Sequence, residues 1–327
     1  MTKIDIFSGF LGAGKTTFIK KLIEEAYKGE RIVLIENEFG TIGIDSGFLQ
    51  EAGIQINEMN SGCICCSLVG DFSKALANVI DEYKPDRILI EPSGVGKLSD
   101  VIKAAKSAEE HDATLNGFTT IVDATKCKMY MKNFGEFFND QVENAGCIVL
   151  SHTDKLSEAK ITECVNMLRE KNPTAVIVTT SWGQLSGEQL ISAMEREDTL
   201  EAELHKLEHE HHHRHDEHCD CGCHDHEHHH HHHADEVFTS WGIETNKKFD
   251  AIELEAVLHE LENEEKYGII LRAKGIVAST DGRWINFDYI PGEPDVRFGV
   301  SSVIGRLCVI GSKINEHEIA HLFGMEA

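Results

Sequence analysis

The sequence predicts an α/β fold: a first domain with a mainly parallel sheet and helices on both faces, followed by a small α+β domain. Three observations carry this. A strand, a glycine-rich turn and a helix follow one another within residues 3–23. Short apolar runs then alternate with stretches of helical period as far as about residue 195, the pattern of a parallel sheet wrapped by helices. Beyond a histidine-rich interval the chain changes to closely spaced strands with little helix between them.

The elements are expected in this order. Ile4-Asp5-Ile6-Phe7 opens as a buried strand, and Phe18, Ile19, Leu22 and Ile23 mark one face of the first helix. Residues 31–36 form a second strand by their apolar run, and 37–49 a polar, glycine-bearing loop leading into a short helix. A brief strand near 54–58 precedes a cysteine cluster, and 68–83 has helical spacing through Phe72, Leu76, Val79 and Ile80. Residues 87–91 are another buried strand, stopped by Pro92-Ser93-Gly94. Further strands fall at 117–123, 147–151 and 175–179. In the second domain, strands are expected at 237–243, 269–277, 284–290, 296–299 and 307–310, an amphipathic helix at 249–261 and a short helix at 315–323. The resulting division is 1–195, 196–236 and 237–327.

Composition narrows the function. The 327 residues carry a formal charge of −25, with 41% apolar and 27% charged residues. A phosphate backbone would be repelled by that charge, so a nucleic-acid partner is not expected. The charge suits a cation-handling protein, and equally a solvated acidic surface. No apolar run reaches the ~18 residues that span a bilayer, and no signal peptide precedes the first strand. A cytoplasmic address and no membrane partner follow as expectations, and in that compartment the ten cysteines read as thiols or metal ligands.

The turn after the first strand is Gly9-Phe10-Leu11-Gly12-Ala13-Gly14-Lys15-Thr16-Thr17, a G-x-x-x-x-G-K-T phosphate-binding loop in strand–loop–helix context. Backbone N–H groups of Gly12, Ala13 and Gly14 curl around a polyphosphate, and the helix N-terminus adds to the field. Lys15 then reaches the β- and γ-phosphates, Thr16 offers its hydroxyl to Mg²⁺, and Thr17 lies near the α-phosphate. Asn37 to Asp45, with Glu38, follows the second strand where a Mg²⁺-sensing switch would lie. Glu91 ends a buried strand just before Ser93-Gly94, so its carboxylate could hold the metal's water shell while the Gly94 N–H senses the γ-phosphate. Lys15 and Glu91 are the candidate catalytic residues. Asp154, just past the strand at 147–151, can accept two hydrogen bonds from guanine that adenine cannot offer, which points to GTP. Ser181-Trp182 could complete the base pocket.

Cys63, Cys65 and Cys66 place three thiols within four residues, enough to converge on one soft cation such as Zn²⁺. A fourth ligand would be Glu38, a histidine or solvent; a redox pair and plain buried thiols are the competing readings. A second, multi-site cation store is expected at 205–233, which holds fifteen of the twenty histidines, among them His211, His212 and His213, together with Cys219, Cys221 and Cys223. That stretch cannot build a core and reads as disordered without metal, or as a solvated linker. Cys127, Cys147, Cys164 and Cys308 are isolated and read as small buried hydrophobes. His111, His259, His317 and His321 read as satisfied or exposed side chains.

Taken together, Gly9 to Thr17, Asn37-Glu38-Phe39-Gly40, Gly62-Cys63-Ile64-Cys65-Cys66, Glu91-Pro92-Ser93-Gly94 and Thr153-Asp154 resemble the CobW-type metallochaperone GTPases, relatives of the hydrogenase and urease nickel-insertion GTPases. The resemblance extends over nearly the whole chain, including a histidine-rich stretch before a smaller carboxy-terminal domain. It implies GTP hydrolysis, with Mg²⁺, coupled to delivery of Zn²⁺, cobalt or another transition metal to a client metalloprotein, with homodimerisation left open. Lys15 and Thr16 would bind phosphate and Mg²⁺, Cys63, Cys65 and Cys66 the transferred metal, and Asp154 guanine. One departure stands out: Ser151-His152 occupies the place where the family usually has Asn-Lys or Thr-Lys, whose lysine stem packs across the nucleotide. The competing functions are a metal buffer with a regulatory nucleotide domain, and a small-molecule kinase, for which no acceptor site is legible.

Overall fold

Strands buried on both faces call for near-continuous apolar runs, and residues 4–7, 32–35 and 88–90 supply them in the first sheet, with Asp5 the polar exception. The computed structural model describes residues 1–36, 55–58, 69–106, 108, 112–195 and 239–325. Among these, β1 (Thr2–Gly9), β2 (Ile32–Glu36), β3 (Gln55–Glu58), β4 (Arg87–Glu91), β5 (Ala113–Asp123), β6 (Cys147–Ser151) and β7 (Val176–Val178) form one seven-stranded sheet in the order β3-β2-β4-β1-β5-β6-β7. Every pairing in it is parallel.

The described crossovers run through α1 (Lys15–Glu25), α2 (Val69–Tyr83), α3 (Leu98–Ala105), α4 (Cys127–Asn133), α5 (Gly135–Glu143) and α6 (Glu158–Lys171), and α7 (Gly187–Met194) follows the last strand. Their apolar stripes face the sheet: Phe18, Ile19, Leu22 and Ile23 of α1 are buried, as are Phe72, Leu76, Val79 and Ile80 of α2. β1 lies at the centre, between β4 and β5, so the turn that follows it opens where chain connections diverge to the two sides of the sheet. Ligands of open α/β sheets bind at such a point, beyond the carboxyl ends of the strands.

One polar network interrupts the apolar interior. Asp5, fully buried on β1, accepts from Arg87 Nη1 and, at 2.8 Å, from Asn116 Nδ2. Arg87 Nε also donates to Glu30 at 2.7 Å, and its guanidinium lies 4.2 Å over the Tyr27 ring. Burial pushes the Asp5 carboxyl above its ordinary value even against the pull of Arg87.

Beyond the histidine-rich interval, a separate unit holds β8 (Thr239–Thr245), β9 (Lys248–Phe249), β10 (Ile269–Ser279), β11 (Trp284–Ile290), β12 (Glu293–Gly299) and β13 (Gly305–Ser312). Its sheet runs β12-β11-β10-β13-β8 with antiparallel neighbours, and β9 adds a short parallel pairing to β10. α8 (Ala251–Glu260), α9 (Glu264–Tyr267) and α10 (Glu316–Leu322) accompany it. Asp250 caps α8, accepting from Ile252 N at 2.9 Å and Glu253 N at 3.3 Å. Leu254 and Leu258 of α8 join Ile270, Phe287, Leu307 and Phe323 in this unit's own core.

Among the described residues element types match the expectations and their ends shift; the loop and short helix expected at 37–49 lie outside the described residues. β5 starts at Ala113 rather than 117 because Ala113, Thr114 and Leu115 pair with Thr2, Lys3 and Ile4, ahead of a register shift between Ile4 and Asp5. β12 reaches back to Glu293, where exposed residues pair with Asp288, Tyr289 and Ile290. The unanticipated β9 is two residues long. Cys127, Cys147, Cys164 and Cys308 are buried. No helix among the described residues is long and apolar enough to cross a membrane.

Candidate functional site

The loop after β1 takes its shape from glycine. Gly12 and Gly14 have φ of 72° and 99°, in the left-handed region that side-chain-bearing residues rarely enter. Ala13 is buried, and its N–H donates to Phe10 O at 3.1 Å, closing the turn. Gly14 then stands at the cap of α1 with no side-chain hydrogen bond to that cap and no acidic residue in the first turn. The positive end of an eleven-residue helix is thus offered to an anion with no carboxylate of its own first turn competing for it.

Lys15 and Thr16 converge on Glu91, seventy-five or more residues away in sequence and brought alongside by the β1–β4 pairing. Thr16 Oγ1 donates to Glu91 Oε1 at 3.0 Å and Oε2 at 3.2 Å. Lys15 Nζ lies 4.0 Å from Glu91 Oε1, both side chains largely buried. A hydroxyl, a carboxylate and an ammonium therefore share one small volume at the mouth of the loop. Thr17, the next residue, is exposed.

The segment after Glu91 presses on the loop from the other side. A Cβ built on Gly94 would stand 2.8 Å from Leu11 N, a contact that only glycine permits. Ser93 Oγ is buried there with no hydrogen-bond partner among the described residues. Gln141 on α5, fully buried, donates from Nε2 to the carbonyls of Gly94 at 3.1 Å and Gly96 at 2.8 Å.

The base side is less enclosed. Asp154 is exposed in a single 3₁₀ turn after β6, and His152 before it has φ 58°. Lys155 reaches back to His152, with Nζ 3.1 Å from Nδ1. Trp182 stands beside the loop: its ring packs 5.2 Å from that of Phe18, and a Cβ on Gly14 would come within 3.0 Å of its Cη2. Next to these, Asp123 ends β5 and accepts from Thr125 N at 3.0 Å and Thr125 Oγ1 at 2.6 Å, with Lys126 Nζ at 3.3 Å. Burial alone would raise its carboxyl; the Thr125 and Lys126 hydrogen bonds outweigh burial and hold it below the ordinary value.

The donor set fits Mg²⁺ with a polyphosphate. Hard oxygen ligands from Thr16 and Glu91, an ammonium beside them and a free helix N-terminus are what that pair requires. The orphaned Ser93 hydroxyl, aligned in sequence with the Gly94 contact, is a polar group awaiting a partner. Glu38, Cys63, Cys65, Cys66, His211, His212, His213, Cys219, Cys221 and Cys223 lie outside the described residues, as does His111. Among the described residues no group of three or more metal-ligating side chains assembles. His259 pairs with Glu262 at 3.4 Å, and His317 and His321 are exposed.

The register of the strands adds a relation that composition could not give. Glu36, Glu58 and Glu91 stand in line at the carboxyl ends of β2, β3 and β4, with Glu36 opposite both others. In sequence, Glu38 follows two residues after the end of β2 at Glu36, and Cys63 five residues after the end of β3 at Glu58.

Two side chains at this site were not anticipated. Gln141 could have been noticed, since it shares a helical face with Phe138, Val142 and Ala145, which are buried. Asp123 repeats the pattern of Glu91, an acid closing an apolar strand.

Comparison with known proteins settles the family. Residues 3–179 match the profile described as CobW/HypB/UreG, nucleotide-binding domain. The chain belongs to this family. Residues 238–325 match a second profile, the Cobalamin synthesis protein cobW C-terminal domain, so the two profiles fall one on each unit. Relatives of this CobW-family chain include "Zinc chaperone CobW" of Sinorhizobium sp, 30% identical over 203 residues, which cover 52% of this chain and 57% of the relative. "Zinc chaperone YjiA" of Escherichia coli is 31% identical over 189 residues, 56% of this chain and 58% of the relative. "Zinc-regulated GTPase metalloprotein activator 1" of Schizosaccharomyces pombe is 26% identical over 191 residues, 56% of this chain and 46% of the relative. The chain thus matches only about half the length of these relatives. Among solved structures, Zn(II)-bound YjiA GTPase from E. coli aligns over 100% of this chain and 99% of its own, at 22% identity and a TM-score of 0.45. HypB from Helicobacter pylori in complex with nickel aligns over 59% and 82%, at 17% identity and a TM-score of 0.42.

Proposed function

We propose that this chain is a GTP-hydrolysing metallochaperone that couples its nucleotide state to binding a transition metal, Zn²⁺ foremost, and passing it to a client metalloprotein in the cytoplasm. The observation that carries the nucleotide half is the meeting of Thr16, Lys15 and Glu91 at the glycine loop. The cargo half rests on Cys63, Cys65 and Cys66 in the sequence, with Glu38 as a candidate fourth ligand, and on family membership. The working division is a nucleotide domain at 1–195, a cation-rich linker at 196–236 and a small domain at 237–327.

In this reading Gly12, Ala13 and Gly14 wrap the phosphates with backbone N–H groups, and Lys15 neutralises the terminal pair. Mg²⁺, when bound through Thr16 and a water held by Glu91, supplies charge neutralisation of the developing leaving group. The Gly94 N–H then reads whether a γ-phosphate is present, and Asp154 selects guanine by accepting from its N1–H and amino group. His152 and Trp182 frame the base from two sides. Hydrolysis thereby becomes a change at Gly94 and in the two segments that follow Glu36 and Glu58 in sequence, one of which carries the thiols. Nucleotide moves metal only through a difference in affinity between the two states. A hundredfold difference corresponds to about 2.7 kcal/mol of coupling.

Titration of Zn²⁺ into the full chain with GDP and with a non-hydrolysable GTP analogue tests the proposal. Different affinities are expected, abolished by Cys65→Ser with Cys66→Ser. Equal affinities in wild type would leave two unrelated sites. The histidine-rich interval favours one other reading, a metal buffer. Deleting residues 208–233 separates them, because a buffer loses most of its metal capacity whereas a chaperone keeps one tight site and its GTP turnover.

A further inference from the structure

We propose that Gln141 is a positioning residue for the nucleotide reaction: from α5 it clamps the Ser93–Gly96 turn against the phosphate loop and so sets where Gly94 stands. The inference rests on the nucleotide reading above and adds the part that holds its sensor in place.

Gln141 is fully buried among apolar neighbours, where a leucine or methionine of similar volume would pack without desolvation cost. Its amide nevertheless has a defined task. Both groups facing it are carbonyl oxygens, of Gly94 and Gly96, and carbonyls only accept. The amide NH₂ must therefore point at the turn, which fixes its orientation by chemistry alone. One planar NH₂ carries two donors, and here both are used on carbonyls two residues apart. That spacing exists because Gly96 N–H closes the turn on Ser93 O at 2.9 Å.

The clamp is anchored at both ends. Thr120 on β5 donates to the Gln141 backbone carbonyl at 2.7 Å, tying this point of α5 to the sheet. The adjacent Asp140 accepts from Ser99 N at 3.0 Å and Ser99 Oγ at 2.7 Å, so α5 holds the start of α3 as well. On its far side the turn meets the phosphate loop, where Gly94 lies so close to Leu11 that a Cβ would collide with the backbone. Any displacement of Gly94 must then be passed to Leu11 or absorbed by breaking the Gln141 bonds.

Two polar atoms remain unsatisfied in this arrangement, Gln141 Oε1 and Ser93 Oγ, both buried. Each such group carries a desolvation cost until it finds a partner. The turn is consequently not at its best hydrogen-bonding state as described, and a triphosphate that gives Ser93 or its neighbours a partner would favour a shifted arrangement. Gln141 never touches nucleotide in this scheme; it acts through the backbone of Gly94.

The test is Gln141→Met in the full chain, which keeps volume and removes both donors. Affinities for GDP and for a non-hydrolysable GTP analogue are measured with Mg²⁺, beside the thermal midpoint and GTP turnover. The clamp predicts a loss of roughly tenfold in analogue affinity, about 1.4 kcal/mol, with GDP affinity within about twofold of wild type. An unchanged ratio, or equal losses for both nucleotides, would overturn it and leave Gln141 a packing residue. Should the variant fail to fold, proton exchange of the Gln141 side-chain amide in wild type decides: protection that differs between the two nucleotides supports the clamp, and identical protection overturns it. Wild type that binds neither nucleotide would instead refute the nucleotide reading, and the two failures are thus separable.

Discussion

Neutralising Glu91 without changing its shape should separate two effects that are opposite in sign. In the structure its carboxylate lies 4.0 Å from the Lys15 ammonium and accepts twice from Thr16 Oγ1. Two unit charges at that distance attract by about 4 kcal/mol at an effective dielectric of 20. The desolvation cost of both largely buried groups, and repulsion of the incoming phosphate by the same carboxylate, bring the net quantity at stake down to roughly 1–2 kcal/mol. Glu91→Gln frees Lys15 for phosphate and removes the repulsion. Nucleotide affinity measured in EDTA should therefore rise, by up to about tenfold. With Mg²⁺ the sign reverses, since the amide cannot hold a metal-bound water as a carboxylate does. GTP turnover should fall by about a hundredfold or more, in the range typical of a lost electrostatic stabiliser. Fluorescent-nucleotide titration with and without Mg²⁺, beside phosphate release, gives both numbers. Unchanged affinity in EDTA together with turnover within about twofold of wild type would refute the placement of Glu91 at the reacting phosphates.

The other predictions concern what supports the site. Arg87→Met leaves the fully buried Asp5 without its cation and should cost about 3–5 kcal/mol in urea unfolding. Because burial already pushes the Asp5 carboxyl up, that loss should shrink as pH falls and Asp5 takes a proton; a pH-independent loss would show that the charge was not the cause. Asp123 is held below its ordinary value, so its contribution is present above about pH 3.9 and disappears as pH falls through the lowered value. Asp123→Asn should accordingly destabilise near neutrality and converge with wild type in acid, as read from unfolding midpoints between about pH 3 and 7. Gly94→Ala places a methyl 2.8 Å from Leu11 N and should weaken GTP-analogue binding more than it lowers the thermal midpoint; equal binding to wild type would mean that the turn moves freely.

Much of the first unit was legible because fully buried parallel strands leave continuous apolar runs bounded by Gly and Pro, as in Ile88-Leu89-Ile90 before Pro92. Boundaries were lost where pairing extends beyond burial. Glu293, Asp295 and Arg297 on the edge strand are exposed, so their hydrogen-bonded register leaves no hydropathy signal. Within the site, Lys15, Thr16 and Glu91 could be named because each sits at a fixed offset from a glycine or a strand end. The burial of Gln141 was legible from its helical face, but its partners, like those of the Asp5–Arg87 pair in the sheet, were not, because these contacts join residues forty-five or more positions apart. An isolated glutamine in an amphipathic helix, or an aspartate in an apolar strand, does not announce its partner.

The position of β1 has a consequence for how this protein is made. Among the described residues, Thr2–Gly9 has as sheet neighbours β4, ending at Glu91, and β5, ending at Asp123, both made well after it. A nascent chain shorter than that has nothing to pair its first strand with, and the glycine turn behind it stays unsupported. Non-local pairing of this kind is slow to form. β1 must therefore wait for β4 and β5, so products that terminate before Glu91 should be sticky and lack a formed glycine loop alike.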